Sequence, residues 1–400
     1  MISANENFTR IPENYIFADV ARRLADYKKE HPKSDVINLG IGDVTLPLPY
    51  PISRAMAEAS LEMSTPCGFR GYPPDGGYPF LREKLATRYA DFGIALSWDE
   101  IFISDGAKSD LAAIQELFDF SCAMQFSPSY PVFGESCLLR GKRLVSLPAT
   151  RENGFLPPPP KDFPLSGCLI SICSPANPTG AAYDRAGLSA WVDFALKSGS
   201  LIIFDCAYEA YIRDSLPHSI FEIPEAKYCA VETGSFSKAA GMTGVRCSWC
   251  AIPRELRISG AEVRALWSRR QNMKFNGVSY IIQRGAEAAL SEECKPLLRS
   301  NIDYYAENAA ILAEVLRRRG VYFSGGRNSP YLWLRCGNSQ RFFEALLHAG
   351  VVGTPGSGFG AFGEGYFRLT AFASRKNIIE ATALMDKFLQ SDNNFTLYSP

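Results

Sequence analysis

Short apolar runs alternate with amphipathic stretches through the middle of the chain. Runs of strand length are EIFIS (100–104), CAMQF (122–126), GCLISIC (167–173) and SLIIFD (200–205), whereas LSAWVDFALKSG (188–199) has helical periodicity. Continuous apolar strands separated by helices indicate a mainly parallel sheet with helices on both faces. Polar turn residues gather at the carboxyl ends of these runs, where open α/β sheets bind ligands.

The pattern changes near residue 260, where helical stretches begin to dominate. Helix-like YIIQRGAEAAL (280–290) and RFFEALLHAG (341–350) and strand-like PYLWLRC (330–336) and GYFRLTAF (365–372) lie in this part. We predict a large α/β domain over 41–275 and a small α+β domain over 276–400. The N-terminal arm, residues 1–40, is expected to be part of the small domain.

Composition narrows the classes of function. The 400 residues include 42 acidic and 42 basic side chains, so there is no basic footprint for nucleic acid or for an anionic membrane. The N-terminus has no apolar core of signal-peptide length, and no apolar run reaches membrane-spanning length. We expect a soluble, cytoplasmic protein that acts on small molecules.

The eleven cysteines are scattered through apolar segments. This pattern favours buried thiols in a reducing compartment over a disulfide framework. Cys247 and Cys250 have metal-site spacing but no second pair and no neighbouring histidine, so we interpret them as buried strand residues. No metal site is expected.

Reactive side chains stand out in GSFSKAAGMTGVR (234–246), where Lys238 and Arg246 are the only charges. Ser235 and Ser237 precede the lysine. A pocket of small residues permits the desolvation that lowers the pKa of an amine, which makes Lys238 a candidate nucleophile. The arginine and the two hydroxyls suit a phosphate group.

Other polar residues follow strand ends or turns. Asp205 ends a buried strand, where its alternative role is an ordinary ion pair or helix cap, and Tyr208 lies three residues later. Asn177 lies between Pro175 and Pro178, which restrict its backbone. Further candidates are the turn Gly106-Ala107-Lys108 at a strand-to-helix junction, Tyr130 in a proline-flanked turn, and Arg368 in an apolar strand.

These residue types together suit pyridoxal 5′-phosphate. Lys238 would be the reactive amine, and Asp205 would keep the pyridine nitrogen protonated so that the ring acts as an electron sink. The phosphate would be held by Arg246, Ser235, Ser237 and the Gly106-Ala107-Lys108 turn. Asn177 and Tyr208 would hydrogen-bond the ring oxygen, while Tyr130 would stack on the ring face.

The chain resembles the fold-type I pyridoxal-phosphate aminotransferases and, more narrowly, the LL-diaminopimelate aminotransferases. The stretches that carry the resemblance are INLGIGDVTLPLP, FRGY, EIFISDGAKSD, SPANPTG, FDCAYEAYI, SFSKAAGMTGVR, LWSRRQNMKFNG, NSPYLW and TPGSGFGAFGEGYFRLTAF. The resemblance implies a large domain with a mainly parallel seven-stranded sheet between helices, and a smaller α+β domain. It also implies pyridoxal 5′-phosphate as the cofactor.

Carried over by position, the resemblance implies that Lys238 forms the Schiff base and that Arg368 holds the substrate α-carboxylate. The implied substrate contacts are Tyr15, Gly42, Lys108, Tyr130, Asn177 and Asn276. Tyr72 and Asn276 would enter the site from the second subunit of a homodimer. The implied reaction is reversible amino transfer between LL-2,6-diaminopimelate and 2-oxoglutarate, which gives tetrahydrodipicolinate and L-glutamate in lysine biosynthesis.

The chain departs from this family at two positions. GYPPDGG (71–77) stands where the family usually has GYGPEQG, so Asp75 replaces a glutamate. Ala176 replaces the first asparagine of the usual PNNPTG. An aminotransferase for another amino acid (aspartate, aromatic or basic) is therefore the alternative. An acyl-transferring enzyme with a Ser-x-x-Lys nucleophile is disfavoured, because the sequence contains no Lys-Thr-Gly.

Overall fold

The computed structural model describes residues 2–13, 15–161 and 166–391. Its helices are α1 (Ile16–Glu30), α2 (Tyr50–Glu62), α3 (Pro79–Asp91), α4 (Ala107–Ala113), α5 (Val132–Leu139), α6 (Arg185–Ser198), α7 (Phe236–Ala239), α8 (Val263–Lys274), α9 (Tyr280–Ala289), α10 (Lys295–Arg318), α11 (Ser339–His348) and α12 (Arg375–Ser391). No helix in these ranges is both long enough and apolar enough to cross a bilayer.

The strands are β1 (Ile37–Asn38), β2 (Ile101–Ser104), β3 (Cys122–Ser127), β4 (Arg143–Pro148), β5 (Leu169–Cys173), β6 (Leu201–Asp205), β7 (Ala230–Ser235), β8 (Ser248–Ala251), β9 (Arg257–Ile258), β10 (Ala261–Glu262), β11 (Phe323–Gly325), β12 (Tyr331–Arg335), β13 (Val351–Val352), β14 (Thr354–Pro355) and β15 (Tyr366–Thr370). Seven of them form one sheet in the order β2-β8-β7-β6-β5-β3-β4. Only β8 runs antiparallel to its neighbours in that sheet, so the prediction of a mainly parallel seven-stranded sheet is confirmed.

Both faces of the large sheet are buried, because successive side chains of a strand point alternately into two cores. Along β6, Ile202 and Phe204 pack into one core with residues of α3 and α6, while Leu201 and Ile203 pack into the other with residues of α4 and α8. Every residue of β6, Asp205 included, is buried. This two-sided burial explains why the sequence shows continuous apolar runs here.

A second sheet, β11-β12-β15-β14, is antiparallel and forms a separate core with α1, α10, α11 and α12. The N-terminal segment joins this part through β1, which pairs in parallel with β13. The division at residues 41 and 276 remains our proposal, and the separate cores support it. Helix α9 lies at the boundary, because its Ala286 and Ala289 pack in the core of the large sheet.

The expectation that the cysteines are free thiols is wrong for one pair, because Cys122 and Cys168 form a disulfide. Their strand segments are paired neighbours, with Ala123 opposite Leu169, and this proximity could not be read from the sequence. The other nine cysteines are free thiols, and Cys247 and Cys250 are fully buried. Within the described ranges, no cluster of three or more His, Cys, Asp or Glu side chains could hold a metal ion.

Candidate active site

A cavity of about 380 Å³ lies where the carboxyl ends of β6 and β7 meet the second sheet. The expected site residues that line it are Gly42, Ala107, Lys108, Tyr130, Asn177, Asp205, Tyr208, Ser235, Ser237, Lys238, Arg246 and Arg368. Tyr15, Tyr72, Gly106 and Asn276 are expected site residues outside this lining. Residues far apart in sequence therefore meet at the sheet edge where α/β folds bind ligands.

Lys238 lies in the short helix α7, directly after β7. Its amine donates a hydrogen bond to the carbonyl of Gly42. Burial lowers the pKa of the amine to about 8, with Asp43 opposing and Arg368 and Arg246 adding to the shift. Because an amine must lose its proton to attack a carbonyl group, this environment makes Lys238 a nucleophile near neutral pH.

Arg246 and the turn before α4 form a cradle beside the lysine. Arg246 has a left-handed backbone with a φ of 63°, and its guanidinium donates to the carbonyl of Thr243 at 2.9 Å. Gly106 has a φ of 153°, and a Cβ at this position would clash with the Arg246 guanidinium. Ser235 caps α7 by accepting a hydrogen bond from the Ser237 amide at 3.1 Å. Hydroxyls, a guanidinium and glycine backbone together suit a phosphate group.

Asp205 is the last residue of β6, and its side chain is buried. Burial raises the pKa of its carboxyl to about 6, although a hydrogen bond from the Ala207 amide and one from the Cys173 thiol oppose the shift. A carboxyl group in this position gains stability when a positive partner reaches it. A protonated pyridine nitrogen would be such a partner.

The Asp205→Asn variant of the cofactor-free protein should be more stable than the wild type at pH 8, by at most about 3 kcal/mol, because burial raises the pKa of the Asp205 carboxyl from 3.8 to about 6. The folded state binds the Asp205 proton more tightly than the unfolded state does. The free energy of unfolding of the wild type therefore falls as the pH rises from about 4 to about 6, and the loss is complete above pH 6. Urea unfolding at pH 5 and pH 8 measures the difference. Asp193→Asn, at an exposed position of α6, is the control. If Asp205→Asn exceeded the wild type in free energy of unfolding by more at pH 5 than at pH 8, the prediction would be wrong.

Arg368 lies on β15 and is fully buried. Its Nη1 donates to Oδ1 of Asn177 at 2.7 Å and its Nη2 donates to the carbonyl of Gly40 at 2.6 Å. Its guanidinium also lies 5.1 Å from the Phe17 ring centroid. Among the described residues, the buried Nε has no hydrogen-bond partner. A buried guanidinium that lines a cavity and has an unpaired donor suits a carboxylate ligand.

Tyr15 precedes α1 and contacts the cavity lining from outside, since its hydroxyl donates to that of Tyr130 at 3.0 Å. Lys108 donates to the same Tyr15 hydroxyl at 3.4 Å. Tyr72 and Asn276, by contrast, are exposed and do not line the cavity of their own subunit. Their segments lie side by side, because a Cβ at Gly277 would be 2.6 Å from Cγ of Pro73.

The sequence analysis assigned no role to seven lining residues: Phe17, Ile41, Asp43, Leu111, Ala207, Thr243 and Tyr331. Phe17 is in the first turn of α1, and Tyr331 begins β12. Both aromatic rings contact the Arg368 guanidinium. Their part in the site depends on contacts between distant segments, and the only sequence signal for Tyr331 was the family-like stretch NSPYLW.

The family model "Aminotransferase class I and II" matches residues 34–382. The chain belongs to this family, whose members use pyridoxal 5′-phosphate. Within the family it belongs with the LL-diaminopimelate aminotransferases. Curated relatives of that name from Agathobacter rectalis and Bacteroides fragilis are 44% and 45% identical, each over 95% of this chain and 98% of their own length. The L,L-diaminopimelate aminotransferase structure from Chlamydomonas reinhardtii superposes with a TM-score of 0.91 at 39% identity, over 96% of this chain and 98% of that one.

The cavity fits this cofactor. Glycine at position 106 lets the Arg246 guanidinium lie against the turn before α4, so that a cation and this turn are side by side, as a phosphate site requires. The Asp205 carboxyl is buried without a cationic partner in hydrogen-bond range within the described ranges, and Lys238 supplies an amine of lowered pKa. Each of these groups meets one chemical feature of pyridoxal 5′-phosphate: the phosphate, the pyridine nitrogen and the aldehyde.

Proposed function

We propose that this enzyme transfers an amino group reversibly between LL-2,6-diaminopimelate and 2-oxoglutarate, giving tetrahydrodipicolinate and L-glutamate, as a cytoplasmic homodimer in lysine biosynthesis. The observation that carries the proposal is the single cavity that contains Lys238, Asp205 and Arg368. The relatives named LL-diaminopimelate aminotransferase support the substrate, because they match nearly the whole chain.

In this proposal the cofactor is held by residues from both sides of the cavity. Arg246, Ser235, Ser237 and the backbone of Gly106-Ala107-Lys108 would bind the phosphate. Asp205 would hold a proton on the pyridine nitrogen, and Tyr208 and Asn177 would donate hydrogen bonds to the ring oxygen. Tyr130 would lie against the ring face. When bound, pyridoxal 5′-phosphate supplies an electron sink for the electrons released at the substrate α-carbon.

Lys238 acts both as the attachment point and as the proton carrier. Its Nζ would take the proton from the substrate α-carbon in the neutral form and release it again in the ammonium form, because an amine whose pKa lies near the working pH exchanges protons in both directions. Burial lowers the pKa to about 8, so roughly a tenth of the free amine is neutral at pH 7. The positive charges of Arg368 and Arg246 contribute to this lowered pKa, and the Asp43 carboxylate opposes it.

The substrate is oriented by its α-carboxylate. Arg368 would hold this group with its planar guanidinium, and Asn177 helps to fix the guanidinium by accepting a hydrogen bond from Nη1 at 2.7 Å. Tyr15, Gly42, Lys108 and Tyr130 border the rest of the substrate near the cavity mouth. This arrangement recognises a feature that every amino acid shares, so selectivity depends on the far end of the substrate.

We propose that the partner subunit supplies the remaining contacts. Tyr72 is 85% exposed, although a large aromatic side chain normally gains by burial. Phe69 and Met273, which lie three residues before Tyr72 and Asn276, are also exposed. Exposed apolar side chains of this kind indicate an interface, and two-fold symmetry would place Tyr72 and Asn276 in the cavity of the other subunit.

Mixing two inactive variants tests the shared site. Lys238→Ala subunits and Tyr72→Ala/Asn276→Ala subunits should each form dimers with little or no activity. Random exchange at equal amounts makes half of the dimers hybrid, each with one intact site, so activity should recover to roughly a quarter of the wild-type value. Native mass spectrometry verifies the exchange. Complete exchange without recovery would show that Tyr72 and Asn276 serve their own subunit.

A donor screen tests the substrate. With 2-oxoglutarate as acceptor, LL-diaminopimelate should give a higher kcat/KM than its meso isomer, lysine, aspartate or phenylalanine. A higher kcat/KM with aspartate or phenylalanine would show that LL-diaminopimelate is not the preferred donor, while the assignment to the aminotransferases would still hold.

Asp75 should weaken the distinction between the LL and meso isomers, because its carboxylate is one methylene shorter than that of the glutamate usual in the family. Asp75→Glu is therefore expected to raise the LL-to-meso ratio of kcat/KM by roughly 3- to 10-fold, the worth of about one hydrogen bond. An unchanged ratio would mean that Asp75 does not contact the far end of the substrate.

A further inference from the structure

Tyr331 connects the two halves of the cavity. It begins β12 in the second sheet and is only 1% exposed. Its hydroxyl lies 2.7 Å from the hydroxyl of Tyr208, which follows β6 of the large sheet. Its ring lies under Arg368, with 4.5 Å between the guanidinium carbon and the ring centroid. One side chain thus contacts both the proposed ring-oxygen ligand and the proposed carboxylate ligand.

The short phenol pair raises the question of which hydroxyl donates. A phenol has one hydrogen to donate, while its oxygen also accepts. If Tyr208 donated to Tyr331, its hydrogen could not reach the cofactor. If Tyr331 donates to Tyr208, the Tyr208 hydrogen is free for the ring oxygen.

The surroundings make Tyr331 the better donor. Burial raises the pKa of both phenols, and raises that of Tyr208 well above its ordinary value. The positive charge of Arg368 lowers the pKa of both phenols, but it is the largest lowering effect on Tyr331, whereas at Tyr208 the opposing effect of the Tyr331 phenol is larger. The more acidic of two phenols donates the hydrogen bond, and a donated bond also strengthens the next bond in the chain.

The local packing fixes Tyr331 in this orientation. A Cβ at position 42 would clash with the Tyr331 hydroxyl, so glycine at that position leaves the room that the phenol needs. The Tyr331 amide donates to the hydroxyl of Ser329 at 3.2 Å, which secures the start of the strand. The Tyr208 and Tyr331 rings meet edge to face at 5.1 Å.

We propose that Tyr331 is a positioning residue that donates its hydrogen to Tyr208 and so directs the Tyr208 hydrogen to the ring oxygen of pyridoxal 5′-phosphate. The inference rests on the proposed function for the place of the cofactor. A hydrogen bond to the ring oxygen stabilises negative charge there and lowers the affinity of the adjoining lysine nitrogen for a proton. Tyr331 would therefore act on the protonation of the bound cofactor without contacting it.

The test is a pH titration of the visible absorbance of the cofactor-loaded protein, which requires no turnover. Tyr331→Phe removes one oxygen and keeps the ring under Arg368. The titration midpoint should rise by roughly half to one pH unit, as expected for the loss or weakening of one hydrogen bond. Tyr183→Phe is the matched control, because this buried phenol donates to the carbonyl of Pro157 at 2.6 Å outside the cavity. Its midpoint should equal that of the wild type.

A double-variant cycle separates action through Tyr208 from independent action. Tyr208→Phe should raise the midpoint more than Tyr331→Phe does, and adding Tyr331→Phe to it should change nothing further. If the two shifts add, Tyr331 acts by another route and the inference is wrong. An unchanged midpoint in folded Tyr331→Phe would also overturn it. If the wild type bound no cofactor at all, the proposed function itself would fail.

If Tyr331→Phe folds poorly, Gly42→Ala is a second variant that tests the same proposal. The added methyl group displaces the Tyr331 hydroxyl, so the midpoint should rise in the same direction as in Tyr331→Phe. The stability lost in Gly42→Ala should recover in part when Tyr331→Phe removes the clashing oxygen. A midpoint that stays at the wild-type value in Gly42→Ala, with the phenol displaced, would contradict the inference.

Discussion

Replacing Lys238 with alanine is expected to reduce turnover by at least about 10⁴-fold, since the variant loses both the nucleophile and the proton carrier. The cofactor should still bind, because Arg246, Ser235 and the Gly106 turn are unchanged. Its absorbance should differ from that of the wild type, as no amine remains to react with the aldehyde. Single-turnover kinetics and equilibrium dialysis of the cofactor measure the two effects separately.

Borohydride treatment checks the same assignment chemically. In the wild type it should attach the cofactor covalently to Lys238, as peptide mass spectrometry can show. The choice of this lysine follows from its burial. A pKa of about 8 leaves about half of the amine neutral at pH 8, against about one part in three hundred for a lysine with the ordinary pKa of 10.5. Lys227→Ala, at a lysine paired with Glu255, should label normally. Labelling of a different lysine would refute the role of Lys238.

Arg368→Lys should lower kcat/KM by roughly 10²- to 10⁴-fold for the amino donor and for 2-oxoglutarate alike, because two charge-assisted hydrogen bonds to a shared carboxylate are lost. The ammonium cannot reproduce the planar donor pair, nor can it contact Asn177 and Gly40 together as the guanidinium does. Most of the loss should appear in KM, since both substrates use this contact before the chemistry begins.

The equal loss for both substrates is the specific part of this prediction. A residue that recognised only the far end of diaminopimelate would affect the donor and spare 2-oxoglutarate. Arg335→Lys is a suitable control, because Arg335 ends the neighbouring strand β12 outside the cavity. The borohydride label at Lys238 should persist in Arg368→Lys. A loss confined to one substrate would show that Arg368 is not the shared carboxylate ligand.

The class of enzyme was predictable because its signals are local in sequence. The family, the seven-stranded α/β fold and the cofactor are confirmed. SFSK after an apolar strand, aspartate at the end of SLIIFD and asparagine in SPANPTG each combine a residue type with a position at a strand end. Parallel strands bring such ends to one edge of a sheet, so the order of strands and helices along the chain already indicates that these side chains converge.

The contacts between the domains were decided only by the tertiary structure. Phe17, Tyr331 and Phe359 surround the Arg368 guanidinium at 4.5–5.1 Å, and no spacing in the sequence brings α1, β12 and the segment before β15 together. The Cys122–Cys168 disulfide is a similar case, because it depends on which strands are neighbours. Domain boundaries and roles of individual site residues remain proposals.

The sequence by itself determined the elements, the chemical groups at the strand ends and the cofactor, since hydrophobic periodicity and short motifs act over a few residues. The tertiary structure decided the protonation and orientation of those groups. Lys238 and Asp205 have shifted pKa values because of burial, which is a property of the assembled core. The pairing of Tyr208 with Tyr331 joins residues 123 positions apart. Burial and long-range contact arise only when distant segments pack together.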